Sequence, residues 1–375
     1  MELWDAIVVG AGPAGCAAAW DLAASGRAVL LLDRADFPRN KACAGGLTRK
    51  SLRALRYPVG PVTREVVSAI MVEKRAGEAA TLVSRKPVCA LTVRRELDEF
   101  CLRQTLAAGA RFERIGPIHA IDAQRDRVVV RCGRRNIAAR FVVGADGVHS
   151  RVRQLLHGDG PSWFRRGFAL EAEVYPIAGK EHGLLFDFAP VRQGYGWIFP
   201  KRDHLNVGLY TDSPGEKLDR ARLITWIEAR FGKAEVAHVM GQYLGFGAED
   251  APPAEERVFL AGDAGGFADP LTGEGIHGAI VSGQAAAAAI EGELRGEGRA
   301  RLLFADNTEA LRRDLNLSAA GARWFYRNID VGFRALTAPV FRGAIINAYA
   351  NGTKIAALAN AVRRFTSAFP GCARS

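Results

Sequence analysis

Three aspartates, Asp33, Asp146 and Asp263, end short apolar runs, the last two beside glycines. A carboxylate at the carboxyl end of a buried strand lies where ligands collect in open α/β sheets, and it accepts hydrogen bonds from sugar hydroxyls. The first belongs to the fullest pattern. Asp5-Ala-Ile-Val-Val9 reads as a buried parallel strand running into Gly10-Ala11-Gly12-Pro13-Ala14-Gly15. In this spacing Gly10 makes a tight turn, Gly12 lets backbone approach a pyrophosphate, and Gly15 lets the next helix pack against the strand. That helix, expected over about 14–25, begins at Ala14 and turns its free N–H groups and positive dipole end toward the phosphates. A second strand, Ala28-Val-Leu-Leu-Leu-Asp33, then delivers Asp33 to the ribose hydroxyls of an adenosine half, with Arg34 beside it as a further cofactor contact.

The same device recurs twice. Ala139-Arg-Phe-Val-Val-Gly144 is a buried strand that delivers Asp146 ahead of Gly147, and Val258-Phe-Leu-Ala-Gly262 delivers Asp263. A lone glycine fingerprint fits any dinucleotide; the three segments in this order point to FAD. Asp263 would accept from a ribityl hydroxyl, and Asp146 is expected to serve the cofactor in the same way, with a simple turn cap as the alternative. The stretch Asp269-Pro-Leu-Thr-Gly273-Glu274-Gly275-Ile276 is expected under the isoalloxazine ring, where Gly273 and Gly275 admit close backbone. The helix from Ile276 to about Leu294 would aim its N–H groups at the flavin N1 and C2 carbonyl, favouring the anionic reduced form. Glu274 suits the helix dipole on electrostatic grounds alone, or proton transfer. Arg94, just before a helix expected over about 93–108, is either a solvated helix-start arginine or a contact to the flavin nucleotide. No second fingerprint follows, so reducing equivalents must come from outside, from NADPH or a carrier such as ferredoxin.

Tyr195, Trp197 and Phe199 alternate along Tyr195-Gly-Trp197-Ile-Phe199-Pro200. On a strand they share one face, forming an apolar wall for a long greasy substrate with a tyrosine hydroxyl at one end. Ordinary sheet packing gives the same pattern. Cys43 reads either as a small buried hydrophobe or as a reactive thiol.

The order of the nucleotide segments resembles the flavoprotein class typified by aromatic hydroxylases. Two further stretches resemble the geranylgeranyl reductase family: Lys41-Ala-Cys43-Ala44-Gly45-Gly46 is similar to its lysine-x-cysteine-glycine-glycine stretch, and the 195–200 segment is similar to its tyrosine-x-tryptophan-x-phenylalanine-proline motif. The resemblance covers roughly residues 1–295. It implies an FAD-dependent reductase that saturates carbon–carbon double bonds of a polyprenyl chain on a diphosphate, lipid or quinone. Cys43, Tyr195, Trp197 and Glu274 would then serve the chemistry, Ala44 the flavin, and Gly45, Gly46 and the three aromatic residues the substrate. The chain departs from the family at Ala44, which replaces a glycine, and at Pro190-Val-Arg-Gln-Gly194, two residues longer than the family's proline-glycine-glycine. Flavin-dependent halogenases carry a related tryptophan-x-tryptophan-x-isoleucine-proline segment, from which Tyr195 and Phe199 depart. The rival classes are a flavin monooxygenase acting on an aromatic or peptidyl substrate, and a flavoprotein that modifies or chaperones a protein partner.

The 375 residues, 49% hydrophobic and 24% charged, suit a globular α/β enzyme. The net charge of +11 is spread without a basic run carrying interleaved aromatics, which argues against nucleic acid and suits an anionic membrane surface or a diphosphate. Six cysteines without a CxxC pair argue against a metal site or disulfide framework and for a reducing, cytoplasmic setting. The first strand begins almost at residue 1, which leaves no room for a signal peptide, and no apolar stretch spans a bilayer. Membrane contact, if any, would be peripheral. The expected fold is a discontinuous Rossmann-like FAD domain (1–65, 92–167, 248–300), an antiparallel-sheet substrate domain (66–91, 168–247) and a helical region (301–375). The last, with Trp324, Phe325, Tyr326, Phe333 and Phe341, would roof the substrate tunnel, dock a partner or rest on a membrane.

Overall fold

The computed structural model describes residues 2–175, 182–248, 251–252 and 254–352. In chain order it opens with β1 (Leu3–Val9), α1 (Pro13–Ala24), β2 (Val29–Asp33), β3 (Gly46–Thr48) and α2 (Arg49–Ala54). Then come β4 (Thr63–Val67), β5 (Ala69–Lys74), β6 (Glu78–Val83), β7 (Cys89–Thr92), α3 (Arg94–Ala107) and β8 (Arg111–Arg114). Next are β9 (Ile118–Ala123), β10 (Val128–Cys132), β11 (Arg135–Gly144), α4 (Arg151–His157), β12 (Phe164–Tyr175) and β13 (Leu185–Phe188). The chain continues through β14 (Gly194–Pro200), β15 (Leu205–Thr211), α5 (Arg220–Phe231), β16 (Glu235–Gly247) and β17 (Val258–Leu260). It closes with α6 (Ile276–Leu294), α7 (Ala300–Arg327), α8 (Ile329–Thr337) and α9 (Pro339–Ala350).

The first sheet runs β8-β2-β1-β11, all parallel. Beyond β11 it forks: β10 pairs antiparallel with the first half of that strand and β17 parallel with the second. Helices cover a parallel sheet on both faces, so the carboxyl halves of its central strands are buried; Ile7, Val8, Leu31, Val142 and Val143 have no exposed surface. The glycine turn after β1, the end of β11 and the turn after β17 therefore meet at one edge.

The second sheet has the order β16-β12-β15-β14-β13-β5-β6. It is antiparallel except for the parallel pair β13–β5. The stretch 66–91 does not enter it whole. Ala69–Val83 supplies β5 and β6, while Cys89–Thr92 lies in a separate small sheet, β3-β7-β4.

α7 runs along α6 on an i, i+4 stripe of Ala300, Phe304 and Thr308, all buried, with Ser318 and Ala322 further along. Among the described residues no helix is long and apolar enough to cross a membrane. Cys16, Cys43, Cys89, Cys101 and Cys132 are free thiols. Residues 353–375 of the expected helical region, with Cys372, lie outside the described residues.

α1 and α6 touch backbone to backbone. A Cβ on Gly283 would lie 2.2 Å from the Ala14 carbonyl oxygen, and one on Gly15 would lie 1.7 Å from that of Gly10. Neither contact has a flexible side chain that could yield. Gly283→Val is expected to push the two helices apart, costing about 1–3 kcal/mol and releasing flavin; thermal unfolding with and without added FAD measures both effects.

Candidate functional site

Gly10 takes φ +102°, and a Cβ there would lie 2.3 Å from the Ala145 carbonyl oxygen, so only glycine fits where the turn after β1 meets the end of β11. A Cβ on Gly12 would instead meet nothing closer than the Arg39 guanidinium at 3.8 Å. That open side faces a cavity of about 420 Å³ whose lining includes Gly12, Ala14, Ala145, Asp263, Gly275 and Ile276. Among the described residues no side chain caps either α1, whose N-cap is Gly12, or α6, whose N-cap is Gly275. Two uncapped helix starts thus border one cavity, and their orphan N–H groups and positive dipole ends suit a pyrophosphate and the carbonyl edge of a flavin. The residues present fit FAD.

The sequence-derived contacts divide around this cavity. Asp33 accepts from the N–H of Ala11 at 2.7 Å and of Ala35 at 2.9 Å, which ties the end of β2 to the glycine turn. Arg34 is exposed, and its carbonyl accepts from Arg114 Nε at 3.3 Å. Asp146 has the partners of a turn cap. Its carboxylate accepts from Ser150 Oγ and the N–H groups of Arg151 and Val152, so it caps the turn into α4. Asp263 does line the cavity, and burial raises its carboxyl above the usual range while Lys41 opposes the shift.

Arg94 is not a solvated helix start. It is buried, makes two 2.9 Å bonds to Asp98, and lines the cavity. Arg39 reaches the same Asp98 at 3.2 Å, which places a second guanidinium beside the Gly12 turn. Arg39 escaped the sequence reading because it stands in an irregular segment without a motif.

The 269–276 loop is gripped from several sides. Tyr195 Oη donates to the Thr272 carbonyl, Tyr326 Oη to that of Leu271 at 3.1 Å, and Ser318 Oγ to Asp269 Oδ1 at 2.6 Å. Glu274 has the partners of a structural tie. It accepts from Thr48 Oγ1 and Ser51 Oγ at 2.8 Å each and pairs with Lys50 Nζ at 2.9 Å. Burial disfavours its charge, yet Lys50 and the hydroxyls outweigh it and hold the carboxyl below its ordinary value. The ionised form is favoured, and it ties α2 to the 269–276 loop.

Tyr195, Trp197 and Phe199 all border the cavity, joined by Phe186, whose ring centroid lies 5.4 Å from that of Tyr195 and 5.5 Å from that of Phe199. The Trp197 indole lies across Gly208 of β15, where a Cβ would come within 2.2 Å of the ring, and its Nε1 donates to Asn206 Oδ1 at 2.7 Å. Ile70, Val72 and Leu82 contribute from β5 and β6, and Trp324, Phe325, Leu336, Ile346 and Tyr349 cover the far side. The C-terminal helices therefore roof this space.

The 41–46 segment forms the remaining wall. Gly45 takes φ +64°, and a Cβ there would lie 2.1 Å from the Thr92 carbonyl oxygen. Cys43 N–H donates to Glu171 Oε1 at 2.8 Å, the Ala44 carbonyl accepts from Lys201 Nζ at 2.6 Å, and Cys43 Sγ accepts from Gly45 N–H at 3.4 Å. Burial pushes Glu171 up to about 7 and Lys201 down to about 8. Sequence reasoning missed Glu171; its only signal was a charged residue at an inward register position between the apolar residues of β12.

Glu274→Gln is expected to leave Lys50 without its counter-ion and cost roughly 1.5–3 kcal/mol at neutral pH. Because Glu274 has a folded pKa below its ordinary 4.5, its contribution is full above that value and is lost as pH falls through the folded pKa. The variant should therefore lose less stability than wild type on acidification; denaturant unfolding at neutral and acid pH compares the two.

Residues 4–317 match the FAD binding domain family. Geranylgeranyl diphosphate reductase of Rhodobacter capsulatus is 29% identical, over 76% of this chain and 74% of its own. Digeranylgeranylglycerophospholipid reductase 1 of Methanopyrus kandleri is 28% identical, over 76% and 79%. Menaquinone reductase of Mycobacterium tuberculosis is 27% identical, over 76% of each chain. Among solved structures, a geranylgeranyl bacteriochlorophyll reductase-like protein of Thermoplasma acidophilum superposes with a TM-score of 0.77 at 20% identity, covering 99% of this chain and 98% of its own. The flavin-dependent brominase Bmp2 superposes with a TM-score of 0.74 at 18% identity, covering 98% of this chain and all of its own (100%), so the fold alone is shared with another chemistry. With FAD as its cofactor, the chain belongs to the FAD binding domain family, among the flavoproteins that resemble geranylgeranyl reductases.

Proposed function

We propose that this protein is an FAD-dependent reductase that saturates carbon–carbon double bonds of a polyprenyl chain, with electrons supplied by NADPH or a carrier such as ferredoxin. The observation that carries this reading is one cavity that runs from the flavin-loop glycines past Tyr195, Trp197 and Phe199 to the apolar underside of α8 and α9. An isolated alkene offers no carbonyl for a hydrogen bond, so a site for it must hold the chain by shape and apolar contact.

When bound, reduced FAD supplies the hydride. Tyr195 fixes the 269–276 loop through Thr272, which sets the loop's distance from the aromatic wall. Asn206 locks the Trp197 indole by accepting from its Nε1 at 2.7 Å, and Gly208 leaves the ring room to lie flat. Phe325 and Leu336 close the cavity opposite and exclude water from the alkene. The relatives named as geranylgeranyl, digeranylgeranylglycerophospholipid and menaquinone reductases act on compounds of differing head group, which supports the prenyl chain as the recognised element.

The test is anaerobic. The bound flavin is reduced photochemically and mixed with geranylgeranyl diphosphate, and oxidised-flavin absorbance is followed beside product mass. Recovery of the absorbance with a gain of two hydrogens per bond is the expected result. Recovery only after oxygen is admitted would remove this substrate and favour a monooxygenase.

A further inference from the structure

Glu171 is a buried carboxylic acid in the wall of an apolar cavity, 4% exposed. Its place follows from strand register. Glu171 of β12 pairs with Gly208 of β15, which pairs with Trp197 of β14, so the three lie in one row across the sheet. Because Gly208 has no side chain, the Trp197 indole lies over it, and Asn206 of β15 bridges that indole and the Glu171 carboxyl.

Its partners are donors. The Cys43 N–H donates to Oε1 at 2.8 Å. Asn206 also bonds the carboxylate, and since its Oδ1 is occupied by Trp197 Nε1, it faces Glu171 with its amide N–H. Two cations act from further off. Lys201, just beyond β14, is committed to the Ala44 carbonyl at 2.6 Å, and Arg94, at the start of α3, is committed to Asp98. Burial favours the neutral acid, and these groups favour the anion; the balance leaves Glu171 at about 7. A general acid working near neutrality needs that poise.

We propose that Glu171 is the proton donor of the reduction. The inference rests on the alkene-reductase reading above. As hydride adds to one alkene carbon and the π bond breaks, its electron pair takes the Glu171 proton onto the neighbouring carbon. The carboxyl O–H bond breaks, a C–H bond forms, and the reduced flavin gives up two electrons. The carboxylate left behind is stabilised by the Cys43 N–H, the Asn206 amide and the field of Lys201 and Arg94, and water returns its proton. Lys201 is a positioning residue: it holds the Cys43–Ala44 loop by the carbonyl while Glu171 holds it by the N–H.

The experiment uses the full-length, FAD-loaded protein. In wild type, anaerobic reoxidation by geranylgeranyl diphosphate should slow as pH rises through about 7, because the donor must be protonated. Glu171→Gln should keep its FAD and still be photoreduced, yet reoxidise on the order of a hundredfold more slowly with no such pH dependence. Lys201→Met removes a cation that favours the carboxylate and should move the wild-type midpoint to higher pH. Independently of turnover, infrared difference spectra of the oxidised, substrate-free protein should contain a protonated carboxyl band that disappears through the same pH range and is missing from Glu171→Gln. A Glu171→Gln variant with wild-type rate and pH profile, or the absence of that band from wild type, would overturn the assignment and leave the reductase reading standing. Failure of wild type itself to reoxidise would remove both.

Discussion

The close approach of α1 and α6 is the constraint on which the rest of the molecule depends. Gly15, Gly283 and Gly262 leave no side chain between these helices, the first turn and the strand beneath; a Cβ on Gly262 would lie 3.0 Å from that of Ala14. Ser282 Oγ accepts from the Gly262 N–H at 2.8 Å and fixes the turn after β17 against α6. Two helix N-termini are brought side by side without side-chain caps, at an electrostatic cost to the empty protein. A bound pyrophosphate and flavin carbonyl edge would offset that cost. Folding and cofactor binding therefore share one set of contacts, which the glycines make possible and any larger residue would break.

α7 carries this arrangement to the other sheet. At ~1.5 Å per residue, its 28 residues reach about 42 Å. Its first turns pack Phe304 against Phe259 of β17, with centroids 5.3 Å apart. Further along, Ser318 and Tyr326 bond the 269–272 segment, and Trp324 and Phe325 enter the roof of the cavity. One helix thus contacts the first sheet, the 269–272 loop and the cavity lined by Tyr195, Trp197 and Phe199. A shift of the roof has a direct mechanical route to the 269–272 loop, because both are held by the same helix.

The elements written in local periodicity were legible in the sequence. The turn after β1, the span of α6 and the shared face of Tyr195, Trp197 and Phe199 each follow from a run of neighbouring residues and a fixed period. What local periodicity does not carry is which partners each side chain takes. The Asp146 cap is local, made by Ser150 and the N–H groups of Arg151 and Val152, whereas nothing near Glu274 reveals that Thr48, Lys50 and Ser51 come from more than two hundred positions away in sequence to claim it. The division of 66–91 between two sheets was hidden for the same reason: β5 and β7 are both short and apolar, and only pairing with β13 or with β3 separates them. Glu171 gave one local hint, a charge at an inward position, and that hint becomes chemistry only when β14 and β15 bring Trp197, Asn206 and Lys201 beside it.

Two glutamates in one cavity wall show how environment divides labour between identical side chains. Both are buried, and burial raises the carboxyl of each. At Glu274 an ammonium 2.9 Å away and two hydroxyls more than repay the lost hydration, so the charge is fixed and serves as a structural tie. At Glu171 the nearby ammonium is spent on a backbone carbonyl, and the direct partners are an amide and a peptide N–H, too weak to overcome burial. Exchanging their neighbours would exchange their protonation states. Within this cavity a permanent charge belongs at the helix start, where the loop must not move, and an exchangeable proton belongs on the sheet face, beside the wall along which an alkene would lie.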